Sequence, residues 1–184
     1  MRTVSAILLL ALGAAAGVYE FYWDDGFAMY SMIPWDQEIE APFWHVRFTE
    51  EKTGGALGTV VGVGAYIVPN WPDSTYQGVY LHVMSDSGGL PGASLEKTYV
   101  SGPGWQWTRV EVELEDSVFW VALEYIGHYP VCDALGIDGE GTGHTYSFID
   151  GWIDWGDAML RCYWEGEPEI RVRESTWGLI KSLW

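Results

Sequence analysis

Two neighbouring segments of the chain carry side chains with evident binding chemistry. Trp107, Arg109 and Glu111 alternate along the first segment, and Trp120 and Glu124 lie on the second. Flat indole rings pair well with the C–H faces of sugar rings, and carboxylates accept hydrogen bonds from hydroxyl groups. If both segments are strands of one hairpin, these five side chains share its outward side. The pattern predicts a surface for a polysaccharide or a cell-surface glycan.

Trp71 is a sixth candidate for this surface, because it lies in a loop between Pro69 and Pro72. A second interpretation stays open, in which another layer of the fold or the C-terminal tail covers the indole rings. The chain has 12 tryptophans, and one domain cannot expose all of them.

The hairpin is inferred from hydrophobic alternation. From Val110 to Leu114, apolar and charged residues alternate, and Phe119 and Val121 belong to the apolar set of the next segment. This period of two is typical of a strand with one buried face. A tight turn between the segments would place Val112 opposite Phe119, so that both apolar sets lie on one side.

Four aspartates are candidate metal ligands. They are predicted to lie at strand ends, where carboxylate and carbonyl oxygens could hold a structural Ca²⁺. Their spacing matches no EF-hand loop, and ordinary turn-forming aspartates are the alternative. No other cofactor is expected. The four residues are Asp24, Asp25, Asp138 and Asp157.

Catalytic motifs are not evident in the sequence. The four histidines are scattered, and the chain contains no HExxH, no GxSxG and no phosphate-binding glycine loop. In the predicted hairpin Glu111 and Glu124 would be ~13 Å apart, too far for a glycosidase pair, while Glu111 and Glu113 would be ~7 Å apart. The expectation is a protein that is not an enzyme, with a small glycosidase as the least favoured alternative.

Charge and the N-terminal segment restrict the partners. The chain of 184 residues has a formal net charge of −17, which disfavours nucleic acids and anionic lipid surfaces. Arg2, an apolar run and Ala14-Ala15-Ala16 together indicate a secretory signal over residues 1–16, cut before Gly17. No later apolar segment is long enough to span a membrane. An extracellular or cell-surface location is therefore predicted.

The two cysteines, Cys132 and Cys162, are expected to form a disulfide in an exported protein. Two buried thiols are the alternative.

Gly, Pro and turn residues recur along the chain, and no window shows a clean helical stripe. The fold class predicted is all-β, an antiparallel β-sandwich of jelly-roll type over residues 17–164. Residues 165–184 are interpreted as a C-terminal tail with a short helix. The predicted strands are Gly17–Trp23, Phe43–Thr49, Gly58–Val68, Gly78–Ser85, Ser94–Val100, Gly104–Leu114, Ser117–Tyr125, His144–Phe148 and Ala158–Trp164.

Several segments together resemble a known group of domains. "YEFYWDDG", "SDSGGLPGASL", "GPGWQWTRVEVEL", "VFWVALEY" and "GWIDWGDAMLR" are similar in order and spacing to bacterial secreted jelly-roll modules, which resemble carbohydrate-binding modules. The ending "STWGLIKSLW" resembles short sorting tails of exported proteins. The resemblance implies export and non-catalytic binding of carbohydrate or protein. A structural or adhesive surface protein that acts through protein contacts is the alternative function.

Overall fold

The computed structural model describes residues 17–34, 43–72, 74–147 and 150–167. This part of the chain forms twelve β-strands and one short helix. The predicted signal segment, residues 168–184 of the predicted tail and its helix lie outside the described residues. In chain order the elements are β1 (Gly17–Phe21), β2 (Tyr30–Met32), β3 (Phe43–Phe48), α1 (Glu50–Thr53), β4 (Gly58–Ile67), β5 (Val79–Ser87), β6 (Leu90–Val100), β7 (Gly104–Glu113), β8 (Phe119–Tyr125), β9 (Leu135–Ile137), β10 (Thr145–Ser147), β11 (Gly151–Ile153) and β12 (Leu160–Gly166).

Two antiparallel sheets face each other, which confirms the predicted β-sandwich. Sheet A has the strand order β1-β12-β4-β9-β2, and β7 also pairs with β4. Sheet B has the order β11-β10-β3-β8-β5-β6. The connection of residues 101–103 takes the chain from β6 at the edge of sheet B to β7 in sheet A.

The core between the sheets is formed by alternate residues of both. Val63 and Ala65 of β4 face Leu81 of β5 and Val121 and Leu123 of β8, and all five are fully buried in one apolar cluster. Val110, Val112 and Leu114 belong to the same cluster, as their alternation predicted. The period of two therefore assigns the buried face of each long strand correctly.

The predicted hairpin of β7 and β8 is wrong. β7 pairs with β4 in sheet A, where Val112 lies opposite Val60. β8 lies in sheet B between β3 and β5, where Phe119 pairs with Phe48 and also with Ser85. Because β8 has a partner on each side, it has no open edge for β7. The two apolar faces meet across the core instead of side by side.

The nine predicted strands are all present, with bounds that shift by a few residues. Three further strands, β2, β9 and β11, have three residues each and were not predicted. β12 also continues past the predicted domain end, since Glu165 pairs with Val18 and Thr59. The helix α1 is one turn, in which the Thr49 side chain accepts a hydrogen bond from the Glu51 N–H and Gly54 closes the end in the left-handed region.

The predicted disulfide is also wrong, because Cys132 and Cys162 are not bonded to each other. Cys162 lies on β12 in the main core, beside Val63 and Phe21 in the strand register. Cys132 belongs to a separate small cluster with Ile33 and Ala134. The two buried thiols therefore fill two different apolar clusters, which is the alternative that the sequence left open.

Candidate functional site

The outer side of sheet A is built on two glycines of β4. Gly62 and Gly64 alternate with the buried Val63 and Ala65, so they lie on the side of the sheet that faces away from the core. A Cβ at Gly64 would come within 2.5 Å of the Trp107 ring, and one at Gly62 within 3.2 Å of the Tyr163 ring. The glycines thus leave the space in which neighbouring strands place aromatic rings.

Four rings form what we call the aromatic face, defined as Tyr66, Trp105, Trp107 and Tyr163. The centroids of Trp107 and Tyr163 are 4.7 Å apart and stacked, those of Trp105 and Trp107 are 5.8 Å apart, and Tyr66 meets Trp105 edge-on at 5.7 Å. Trp107 is 36% exposed and Tyr163 38% exposed. The rings therefore support one another while two of them keep a large solvent-accessible area.

Arg161 of β12 holds one end of this face. Its guanidinium carbon lies 4.3 Å from the Trp105 ring centroid and 4.7 Å from that of Tyr22. Its nitrogens donate to Asp24 Oδ1 and Oδ2 and, at 3.2 Å, to Glu20 Oε1. Burial alone would lower the pKa of Arg161, but the two carboxylates raise it above its usual value. This charge is stabilised by the protein itself and orients the Trp105 ring.

A shallow depression lies beside the stacked pair. Its volume is about 230 Å³. An open depression of this size is smaller than a typical enclosed ligand pocket. The guanidinium of Arg109 lies at the rim of the depression. Among the described residues, no ion pair joins Arg109 to a carboxylate. The lining residues are Val61, Gly62, Trp107, Thr108, Arg109 and Tyr163.

We expect Gly64→Ala to disturb the aromatic face more than Gly62→Ala. The new methyl group would overlap the Trp107 ring at Gly64, whereas at Gly62 it would only press on Tyr163. Such overpacking should cost about 1–3 kcal/mol of unfolding free energy. Near-ultraviolet circular dichroism of both variants reports the stacked indoles, and equal spectra for Gly64→Ala and the unmodified protein would contradict the expected displacement.

The six residues predicted from the sequence do not form one surface. Trp107 and Arg109 lie on the aromatic face, whereas Trp120 and Glu124 belong to sheet B. Trp71 packs against the small cluster around Ile33 and is partly buried.

Glu111 lies at the flank of the sandwich. It lines a cavity of about 560 Å³ between the edges of the two sheets. Five other carboxylates line the same cavity, so negative charge dominates it. They belong to Asp86, Glu96, Glu113, Glu115 and Asp116.

Trp120 is fully buried although it points away from the core. Its Nε1 donates to Asp86 Oδ1 at 2.9 Å, Arg47 lies 5.8 Å from its ring centroid, and Trp152 and Tyr146 pack against it at 5.3 and 6.3 Å. The short strands β10 and β11 supply the last two rings. This covering is the second interpretation that the sequence left open. Within the described residues it applies to Trp120, whereas Trp107 is 36% exposed.

Backbone hydrogen bonds join Asp25 and Asp157 to Asp138, and the carboxylates of all four aspartates accept hydrogen bonds within the protein. Asp138 accepts from the backbone N–H groups of Asp25, Asp157 and Glu140, and Asp24 is bound by Arg161.

Asp157 accepts hydrogen bonds from Thr142 and Thr145. The pKa of Asp157 lies above its usual value. Burial is the main cause and the nearby Asp138 adds to it, whereas the bonds from Thr142 and Thr145 act in the opposite direction. Within the described residues no group of three or more His, Cys, Asp or Glu side chains could hold a metal ion. The structural calcium stays a prediction without support from these contacts.

Sequence reasoning missed Tyr66, Trp105 and Tyr163 as partners of Trp107. The signal for them is the run "GVGAY" in β4, in which Gly62, Gly64 and Tyr66 occupy alternate positions and so share one side of the strand. Glycine inside a strand often marks a close approach by a neighbouring group. The side chains from β7 and β12 that fill this space could be identified only once the strand order was known.

The fold and the aromatic face define an antiparallel β-sandwich with an exposed ring cluster on one sheet. The chain matches no protein-family model, no curated protein sequence and no solved structure. No helix in the part of the chain that the structure describes is long and apolar enough to cross a membrane.

Proposed function

We propose that the protein is a non-catalytic binding module that recognises a polysaccharide or cell-surface glycan through the aromatic face. The observation that carries this proposal is the stacked pair of Trp107 and Tyr163, which remains more than one-third exposed above a glycine floor. Sugar C–H groups gain contact with such rings without a deep pocket. Arg109 at the rim offers several hydrogen-bond donors to ring hydroxyls.

The charge of the chain favours a neutral glycan. The net charge of −17 repels polyanions over distances of about 8–10 Å at moderate salt. Arg109 and Glu111 also line a second small depression with Glu96, so the rim combines donors with acceptors. A neutral polymer with many hydroxyl groups matches this mixed rim better than a charged one.

Retention on insoluble neutral polysaccharides tests the proposal. We expect Trp107→Ala and Tyr163→Ala each to weaken retention about fivefold or more, since ring contact is typically worth about 1 kcal/mol and 1.4 kcal/mol corresponds to tenfold. Trp155→Ala is the matched control, because Trp155 is 40% exposed and its ring contacts Tyr30, which is not part of the aromatic face. Equal retention of Trp107→Ala and the unmodified protein on every polymer that the protein binds would remove the aromatic face as the binding site.

We also propose that the protein is exported and acts outside the cell. Arg2, the apolar run that follows it and Ala14-Ala15-Ala16 support this proposal, because together they form the pattern of a secretory signal. The N-terminal sequence of the protein recovered from culture medium or from the cell surface tests this proposal. A chain that retains residues 1–16 and stays inside the cell would contradict it.

A further inference from the structure

A linear array of three polar side chains crosses the outer side of sheet B, away from the aromatic face. Ser94 Oγ lies 2.8 Å from His82 Nδ1, and His82 Nε2 lies 2.9 Å from Glu124 Oε2. The three residues come from the adjacent strands β6, β5 and β8. A hydroxyl bonded to an imidazole that is bonded to a carboxylate is the arrangement that activates a serine for nucleophilic attack.

The proton positions follow from the charges around the imidazole. Glu124 also accepts a hydrogen bond from Lys97 Nζ. Burial would raise the pKa of Glu124, but the bonds from Lys97 and His82 lower it below its usual value. Glu124 is therefore ionised at neutral pH. An ionised carboxylate can only accept, so His82 donates its Nε2–H to Glu124. In a neutral imidazole Nδ1 is then an acceptor, and Ser94 is the donor to it. His82 Nδ1 is therefore a base within hydrogen-bond distance of the Ser94 hydroxyl.

Burial favours the neutral form of the His82 imidazole. Its burial lowers the pKa below the usual value, and this effect outweighs the bonds and charge of Glu124, which raise it, while the charge of Lys97 lowers it further. His45 on β3 is the other titratable ring near His82. The base is thus ready to accept a proton at neutral pH.

Ser94 lies where a reagent can reach it. Ser94 is exposed, whereas the side chain of His82 is only 5% exposed. Ser94 pairs with Met84, and the register between β5 and β6 shifts beside it, so that Leu95 has no partner opposite. A β-bulge of this kind redirects a side chain at the edge of a sheet. Ser94 Oγ also donates to the Glu96 carbonyl at 3.2 Å, so this carbonyl and His82 Nδ1 at 2.8 Å compete for the one hydroxyl hydrogen.

We propose that, besides the binding role and without turnover, Ser94 is a nucleophilic hydroxyl that accepts one acyl group from an uncharged activated ester, with His82 as its general base and Glu124 as a positioning residue. Ser94 Oγ attacks the acyl carbon and forms an ester bond, while the bond from that carbon to the alkoxide or thiolate leaving group breaks. The serine proton passes to His82 Nδ1 and then to the leaving group. Serine proteases bond their serine to Nε2 instead, and either ring nitrogen can serve as the acceptor in a neutral imidazole.

Labelling of the full chain with an alkyl fluorophosphonate tests this site independently of glycan binding. The expected reaction forms one Oγ–P bond, breaks the P–F bond and releases fluoride, and intact-mass spectrometry counts the adducts. We expect one adduct on the unmodified protein, mapped to Ser94 by peptide sequencing, and none on Ser94→Ala. Ser85→Ala is the matched control, since Ser85 lies on β5 and its hydroxyl accepts from the Ala93 N–H.

His82→Gln should be labelled at least 100-fold more slowly, because general-base catalysis typically contributes 10²–10⁴-fold. Glu124→Gln should also be slower and should move the midpoint of the pH–rate profile. In the unmodified protein the rate should reach a plateau above a midpoint lower than pH 6.5. An adduct that persists in Ser94→Ala, no adduct at all, or a rate proportional to hydroxide up to pH 8 would each overturn the proposal. The pH profile decides the question even if His82→Gln does not fold.

Discussion

Replacing Trp120 with alanine is expected to lower the free energy of unfolding by about 3–5 kcal/mol. The indole is fully buried, and its removal leaves a cavity between Trp152, Tyr146 and Arg47. The substitution also removes one of the donors to Asp86 Oδ1. Chemical denaturation monitored by circular dichroism measures the loss.

Trp155→Ala is the matched control for this experiment. Trp155 is 40% exposed and meets Tyr30 edge-on at 5.8 Å, so its loss should cost about 1 kcal/mol. A Trp120→Ala variant as stable as Trp155→Ala would contradict the covered position of Trp120.

Acidification from pH 6.5 to pH 4 is expected to destabilise the fold by about 3 kcal/mol through His45 alone. Burial lowers the pKa of His45 to about 4, the bond to the Tyr146 carbonyl raises it, and the nearby His82 lowers it. The unfolded chain therefore binds a proton below pH 6.5 that the folded chain does not bind until about pH 4. The contribution of His45 to the unfolding free energy is fully present above pH 6.5 and is lost as the pH falls from 6.5 to about 4. Below that range it changes no further.

His45→Gln isolates this contribution, because glutamine keeps a donor for the Tyr146 carbonyl and does not titrate. We expect the unfolding free energy of this variant to change less between pH 6.5 and 4.5 than that of the unmodified protein. The lowered pKa values of His82 and His144 act in the same direction and remain in both proteins. The lowered pKa of Glu124 affects the unfolding free energy only below pH 4.5, the usual pKa of a glutamate. Parallel pH dependences for the two proteins would show that His45 does not carry the effect.

Alternation along the long strands was sufficient to predict which residues face the core. Val110 and Val112 in β7 and Phe119 and Val121 in β8 are buried as their spacing predicted. The same spacing cannot identify the partner strand, because any apolar face satisfies it equally well. Val112 lies opposite Val60, which is 52 positions earlier in the chain, and no local pattern links the two.

The exposure of the indoles could not be predicted from local sequence. Trp107 and Trp120 both point away from the core, yet one borders an open depression and the other is covered. The difference arises from Trp152 and Tyr146, which lie on strands of three residues. The strand of Tyr146 was predicted, but that of Trp152 was not, because a segment of three residues shows no period. The position of both strands beside Trp120 depends on strand order, which local sequence does not give. The glycines of β4 were visible in the sequence, but the rings above them come from two distant strands.

Cys132 and Cys162 lie in two separate apolar clusters, and this separation bears on how the chain folds. No covalent cross-link between them has to form before the sandwich closes, so folding needs neither an oxidant nor a disulfide isomerase. A reductant should therefore change the unfolding free energy of the domain little, because no bond between the two sulfurs contributes to it.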